Sequence, residues 1–307
     1  MPTYALAAAG AGVLSAVLHA LLLTGSLGAF VFAYLAQLPL FVVGLWMGFG
    51  GAALAGVVAT IALAAAGGVI FALAYLAANA VPAVAMTWLA QLNRRTEDGR
   101  IDWYPAGLLV AWLVSFGAAA FLGLCLLLSG EPGGAQGLVQ RFLAAGLRAL
   151  AGPGLDDAAI GGAASVMARF FPGMVAGSWM AMIIANAVLA QGLLVRLHRN
   201  VRPSPAMAEI DLPDWMLPAL AICVLGTFMP GHAGFIGGNL TLIFVIGYAL
   251  AGLGVIHALL ARSPNRSGLL GVAYIFVFLF GWPLLIAALL GMAEPWLKLR
   301  RRAAGGS

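Results

Sequence analysis

The stretch LPLFVVGLWMGFGGAALAGVVATIALAAAG, residues 38–67, decides the fold of this chain. It contains no charged residue and is interrupted by the short glycine-rich turn GFGG at 48–51. A helix of about 20 apolar residues crosses a hydrocarbon core of about 30 Å. We therefore expect one membrane-spanning helix to end at this turn and another to begin there, with no room between them for a domain outside the membrane.

The same composition extends along the whole chain. Its 307 residues are 63% hydrophobic and 8% charged, and the mean hydropathy is +1.04. A soluble domain has roughly a quarter charged residues, so this composition excludes a soluble protein. We interpret the chain as a single all-α membrane domain, residues 1–307, a polytopic integral membrane bundle of about eight transmembrane helices, with nine as the alternative.

Apolar runs recur at spacings that predict the individual helices. We expect a compact four-helix half at 1–92, a cytoplasmic loop at 93–105, an external insertion at 130–172 and C-terminal helices at 173–302. The predicted spanning helices lie near 3–24, 29–48, 50–67, 69–92, 106–129, 173–195, 236–261 and 268–293.

The insertion contains a segment, LVQRFLAAGLRAL at 138–150, with helical amphipathicity. Its large apolar side chains fall on one half of a helix, while Arg141 and Arg148, seven residues apart, share the other half. This pattern predicts an amphipathic helix that lies on the external membrane surface.

Arginine-rich segments set the expected orientation. The loop at 93–105 contains three arginines, and the segment at 196–202 contains another three. Because cationic loops are retained in the cytoplasm, we expect both segments there, and four crossings before the first place the N-terminus in the cytoplasm too. We expect the lipid bilayer around the helices to be the bacterial inner (cytoplasmic) membrane.

The short apolar segment at 215–229 leaves the number of crossings open. As a helix its 15 or so residues reach roughly 22 Å, which is short of a full span. If the segment is re-entrant, the chain crosses eight times and the cationic tail at 298–302 is cytoplasmic; if it crosses, nine crossings put the tail outside. The positive-inside rule favours the first topology, with irregular backbone in PGHAGFIGG at 230–238.

The absence of several motifs excludes whole classes of protein. The predicted spans contain no Asp, Glu, Lys or Arg, which disfavours a transporter that energises itself. The chain also lacks a Walker lysine loop, a metal-binding His or Cys spacing and a Gly-x-Ser-x-Gly nucleophile motif. No basic stripe alternates with aromatic residues. We expect no enzyme activity, no catalytic residue, no cofactor, no metal and no nucleic-acid partner.

A few neutral polar and aromatic side chains within the apolar helices are the candidate site residues. Amides in membrane helices bond to neighbouring helices or meet a ligand, and irregular backbone at membrane depth lines protein or a wet cavity. Structural roles are the alternative for each residue, above all where Pro82 removes the helical donor for the Ala78 carbonyl. The candidate substrate-binding residues are Asn79, Trp179, Asn186, His232 and Asn239.

Small residues form a stripe on the first helix, where Ala8, Gly12 and Ala16 repeat every four residues. Such stripes allow the close backbone approach through which helices associate inside lipid. We interpret the stripe as internal packing, with docking onto a partner subunit as the alternative.

Two C-terminal stretches resemble the YybS-like family of bacterial predicted membrane proteins, domain of unknown function 2232. They are GNLTLIFVIGYALAGLGVIHALLARS at 238–263 and WPLLIAALLGMAEPWLKLRRR at 282–302. The closing run matches through Gly291, Trp296 and Arg300, with Glu294 where the family favours aspartate. The family has no established biochemical activity, so the resemblance supplies no mechanism.

The stretch at 38–67 is also similar to the substrate-binding subunits of energy-coupling-factor vitamin transporters. Those subunits are compact helical bundles whose first helix docks onto a coupling subunit through small residues. The similarity implies that Ala8, Gly12 and Ala16 form a docking face. It also implies a substrate-binding or permease-like subunit for a small neutral metabolite, energised by a partner.

The alternative function is a non-transporting scaffold or assembly protein of the cell envelope. A pocket of neutral polar groups that opens outward favours the transport hypothesis. A core packed solidly around Asn79, Asn186 and Asn239 favours the scaffold.

Overall fold

A computed structural model of the chain describes residues 2–151, 156–303 and 305. Expectations that fall on residue 1 or on 152–155 lie outside the described residues. The α-helices of the described part are α1 (Pro2–Ala20), α2 (Leu27–Tyr34), α3 (Leu38–Met47), α4 (Phe49–Gly67), α5 (Val69–Tyr75), α6 (Val81–Gln91), α7 (Ala106–Leu127), α8 (Gly134–Ala151), α9 (Asp157–Ala168), α10 (Phe171–Arg196), α11 (Met216–Thr227), α12 (Gly231–Leu259), α13 (Arg266–Phe280), α14 (Pro283–Leu297) and α15 (Leu299–Ala303).

Apolar helices long enough to cross a membrane dominate this list, which confirms the predicted polytopic bundle. Helices α13 and α14, which meet at a sharp bend, are long and apolar enough to cross a membrane only if they are taken together as a single span. Among the described residues, the seven candidate spans are Thr3–Thr24, Gly28–Met47, Phe49–Gly67, Val69–Gln91, Ala106–Leu127, Phe171–Arg196 and Gly231–Leu259.

The chain divides into two compact units, where the sequence predicts a single membrane domain. Unit 1 contains Met1–Pro105 and Ala181–Pro205, and unit 2 contains Ala106–Met180 and Ala206–Ser307. The predicted four-helix half forms most of unit 1. The boundary between the units falls within the continuous helix α10. No feature of the apolar α10 sequence marks the position of this boundary.

Unit 1 is held together by close contact between its first four spans. Gly12 lies so close to the Ala55 carbonyl of α4 that a side chain on it would overlap that backbone, and Ala8 and Ala16 are buried on the same face of α1. The small-residue stripe is therefore occupied by an intramolecular contact. It does not present the docking face that the transporter resemblance implied.

Two of these spans are broken within the bundle. The second span divides into α2 and α3 at a turn after Tyr34, and the fourth contains a π-helical turn, Leu76–Ala80, between α5 and α6. The π turn ends two residues before Pro82, whose ring nitrogen has no hydrogen to donate. The sequence predicted each span as one uninterrupted helix.

The polar loop at 93–105 forms a small hairpin. Its strands β1 (Asn93–Arg95) and β2 (Ile101–Trp103) pair antiparallel, with Arg94 opposite Asp102. The sequence predicted a polar connection here without any strand.

Unit 2 is organised around α12, which runs antiparallel to α7. The Phe121 ring, late in α7, lies 5.8 Å from the Phe235 ring, early in α12. Towards the other end of the pair, Gly247 of α12 contacts Val114 of α7. Helix α12 already begins at Gly231, so most of the stretch at 230–238 is helical. The irregular backbone predicted for this stretch is therefore wrong for most of its residues.

The segment before α12 travels the length of α7. Asp211 packs against Gly107, at the end of unit 2 that we call the proximal end, and His232 lies next to Gly134, at the distal end. Helix α11 covers about 18 Å of this distance, and the short non-helical segments before and after it cover the rest. Helix α11 itself is shorter than the candidate spans, so whether 215–229 crosses the membrane or re-enters it stays a prediction.

The helix predicted at 268–293 is broken into two helices rather than continuous. Its two halves, α13 and α14, meet at an angle of 118°, and Gly281 at the bend has a φ of +68° that favours glycine. The pair starts beyond the proximal end of α12 and returns there, because Arg300 bonds to the Ile210 and Ala251 carbonyls. The described residues thus contain seven candidate spans, or eight if this bent pair is one span, and Arg300 lies at the proximal end.

The predicted amphipathic helix at 138–150 is confirmed as the core of α8. Leu143 and Ala144 pack against Ile160 and Ala164 of α9, and Arg148 pairs with Asp157 at 2.9 Å. Helix α9 was not predicted from the sequence, although its buried residues also repeat every four positions. Phe142, predicted on the apolar half of α8, remains exposed beside this contact.

We predict that Ser263 and Ala303 face one side of the membrane and Ser129 the other. Single cysteines at these positions, in a Cys125→Ser/Cys223→Ser background, should react with a membrane-impermeant thiol reagent accordingly, because α13 and α14 together return to their starting end. A cysteine at Ala303 that reacts from the side of Ser129 would contradict this topology.

Candidate functional site

The five candidate site residues are divided between the two units. Asn79 and Asn186 belong to unit 1, whereas Trp179, His232 and Asn239 belong to unit 2.

Asn186 bridges α10 to the break after α2. Its side-chain amide donates to the Tyr34 carbonyl at 2.7 Å and to the Met182 carbonyl at 2.8 Å. The residue is 1% exposed, and its Oδ1 has no donor among the described residues. Asn186 thus donates to a carbonyl at the end of a broken helix, and its own Oδ1 is a buried acceptor without a donor.

Gln37, and not Asn79, bonds to the carbonyl that Pro82 leaves without a helical donor. The Gln37 amide donates at 3.0 Å to the Ala78 carbonyl, which lost its helical donor to Pro82. Gln37 is 0% exposed, and its Oε1 is also without a donor in the described chain. Asn79 is buried within the π turn.

A hydroxyl pair lies next to the same helix break and was missed in the sequence. The Ser15 hydroxyl contacts the Ala36 carbonyl and the Tyr75 hydroxyl, each at 2.5 Å. His19, one turn further along α1, places its ring 5.0 Å from that of Tyr75. The spacing of Ser15 and His19, four apart on an apolar helix, was the available signal.

Arg202 joins the two arginine-rich segments of unit 1. Its guanidinium donates to the Ala90 carbonyl at 2.8 Å and to the Tyr104 carbonyl at 2.9 Å. Arg202 is 8% exposed, and burial lowers the pKa of its guanidinium, which still remains protonated. Both segments therefore lie at the same end of unit 1, as the topology required.

In unit 2, Asn239 is fully engaged with the α9–α10 junction. Its Oδ1 accepts from the Gly173 amide at 2.7 Å, and its Nδ2 donates at 2.8 Å to the Arg169 and Phe235 carbonyls. The residue is 0% exposed. Because Gly173 lies in the first turn of α10, Asn239 satisfies an amide that has no partner within its own helix.

The other two candidates of unit 2 lie apart from Asn239. Trp179 is half-buried next to Gly117 of α7, and His232 is exposed in the first turn of α12. Trp179 thus occupies a packing position, and His232 an end of the helix. Trp179, His232 and Asn239 thus contact different neighbours, which are Gly117, Gly134 and Gly173.

The C-terminal motif forms a clasp that sequence reasoning did not identify as a site. The Glu294 carboxylate accepts from the backbone amides of Leu299 and Arg300 at 2.9 and 3.1 Å. The Arg300 guanidinium donates to the Ile210 carbonyl at 2.6 Å and to the Ala251 carbonyl at 3.0 Å. The motif residues therefore tie α14 and α15 to α12 and to the segment before α11.

No group of three or more His, Cys, Asp or Glu side chains within the described ranges could hold a metal ion. The polar chemistry of the chain lies instead in the unit 1 helix break, at Asn239 and at the Glu294–Arg300 clasp.

These features define a polytopic helical membrane protein whose buried polar groups mostly satisfy helix breaks and ends. Residues 13–294 match the family described as "Predicted membrane protein (DUF2232)", and the chain belongs to that family. No curated protein and no solved structure matches the chain significantly. The similarity to transporter subunits therefore stays a hypothesis.

We predict that Asn239→Leu destabilises the protein strongly. The substitution leaves the Gly173 amide and the Arg169 carbonyl buried without partners, at a cost of about 1–3 kcal/mol each. The thermal unfolding midpoint of the purified protein should fall by several degrees.

Asn265→Leu is the matched control, because Asn265 is exposed at the start of α13 and makes no capping bond. Equal midpoints for the two variants would show that the Asn239 bonds do not stabilise unit 2.

Proposed function

We propose that the chain is a multi-pass protein of the bacterial inner membrane, with both termini in the cytoplasm. The arginines support this orientation, since Arg262 and the tail at 300–302 lie towards the proximal end of unit 2. At the distal end, Arg141 and Arg148 pair with carboxylates. The positive-inside rule then assigns the proximal end to the cytoplasm.

We further propose that the protein is a non-catalytic, non-transporting scaffold or assembly protein of the cell envelope. The observation that carries the proposal is the burial of Asn79, Asn186 and Asn239, which are at most 4% exposed. Asn239 in particular uses both ends of its amide on backbone groups. Such residues stabilise the bundle and do not line an open path for a substrate.

Helix α13 offers a surface that suits assembly. It is apolar, and none of its residues is buried within the chain. In lipid, helices associate through packing with other helices, so a helix without intramolecular cover is available to a partner.

We predict that a thermal-shift screen of the purified chain against vitamins and small metabolites finds no stabilising compound. A ligand at 100 times its Kd adds about 2.7 kcal/mol to stability, so binding would raise the unfolding midpoint measurably. Saturable stabilisation by a metabolite would contradict the scaffold proposal.

A second candidate function is a permease-like subunit for a small neutral metabolite, energised by a partner. Two buried acceptors in unit 1 favour it, Gln37 Oε1 and Asn186 Oδ1, which have no donors among the described residues. A ligand with hydroxyl or amide hydrogens would supply the missing donors, and an unmet buried acceptor costs about 1–3 kcal/mol.

If a stabilising metabolite is found, the second candidate predicts that Gln37→Met and Asn186→Leu each abolish its thermal shift. Gln140→Met is the control, because Gln140 lies on α8 in unit 2. A shift that persists in both unit 1 variants would exclude these acceptors as the binding site.

A further inference from the structure

A cavity of about 210 Å³ lies at the proximal end of unit 2. The segment before α11, α12 and the end of α14 with Arg300 form its walls. This region also contains the Glu294–Arg300 clasp, so the cavity lies between elements that the clasp holds together.

The cavity contains two carboxylates without cationic partners. Asp211 and Asp214 line it, and neither makes an ion pair in the described part of the chain. Glu294 is different, because its carboxylate already accepts two backbone amides. The two free carboxylates therefore attract a cation into the cavity.

The same cavity contains two donors without acceptors. Tyr248 lines it, is 4% exposed and makes no hydrogen bond among the described residues. The buried Nε of Arg300 also has no hydrogen-bond partner there, since the Glu294 carboxylate is 4.0 Å away. Buried donors normally find acceptors, so Arg300 Nε lacks an oxygen that a ligand could provide, and the Tyr248 hydroxyl is a second donor at the cavity wall.

We propose that this cavity binds a phosphate–ammonium group of the phosphoethanolamine class. The phosphate oxygens would accept from Tyr248 and Arg300, and the ammonium would pair with Asp211 and Asp214. Trp296, 67% exposed at the rim, is the aromatic side chain that favours a membrane interface and an organic cation. This site is independent of the scaffold proposal.

The test compares the full-length protein in nanodiscs of phosphatidylglycerol alone and of phosphatidylglycerol with phosphatidylethanolamine. We expect the ethanolamine lipid to raise the unfolding midpoint by about 2–4 °C. Soluble phosphoethanolamine added to phosphatidylglycerol nanodiscs distinguishes the source. A rise with the lipid alone identifies a headgroup site, and an equal rise with the soluble compound identifies a site for a free phospho-amine.

Three variants test which side chains of the cavity bind the ligand. The rise should disappear in Asp211→Asn/Asp214→Asn and shrink in Tyr248→Phe, which keeps the ring. It should persist in Asp156→Asn, an exposed carboxylate of the same unit without an ion pair. No rise in the wild type, or an equal rise in the double variant, would overturn the proposal.

Discussion

Unit 2 depends on how closely other helices approach α12, and glycines set that distance. Gly237 lies against the backbone of α11, Gly247 against Val114 of α7, and Gly252 against the Ala287 carbonyl of α14. A side chain at Gly252 would overlap that carbonyl. Lipid tails are as apolar as helix surfaces, so helices in a membrane gain little from hydrophobic burial and associate through such contacts.

The second constraint is that backbone groups inside lipid must find partners within the protein. Three helix interruptions or ends within the described residues are accordingly accompanied by a polar side chain. Gln37 serves the carbonyl freed by Pro82, Asn186 the end of α2, and Asn239 the start of α10. Asn186 and Asn239 were predicted as binding residues because a ligand site and an interrupted helix need the same neutral polar groups.

The sequence predicted the membrane class, the amphipathic helix and the positions of most spans, because these follow from composition and local periodicity. It missed one break for a local reason, because the Gly-Trp-Pro sequence at 281–283 was interpreted as part of one continuous span. The family motif was recognised as a pattern, but the clasp it forms with Ile210 and Ala251 was not.

By itself, the sequence determined that the chain is embedded in a bilayer, since 8% charged residues and repeated 20-residue apolar runs permit no other environment. Only the tertiary structure decided which polar groups remain unused. Whether a side-chain amide is already hydrogen-bonded depends on a partner far along the chain, as with Asn186 and the Tyr34 carbonyl. The cavity at Asp211, Tyr248 and Arg300 likewise combines residues up to 89 positions apart, a proximity that local pattern cannot encode.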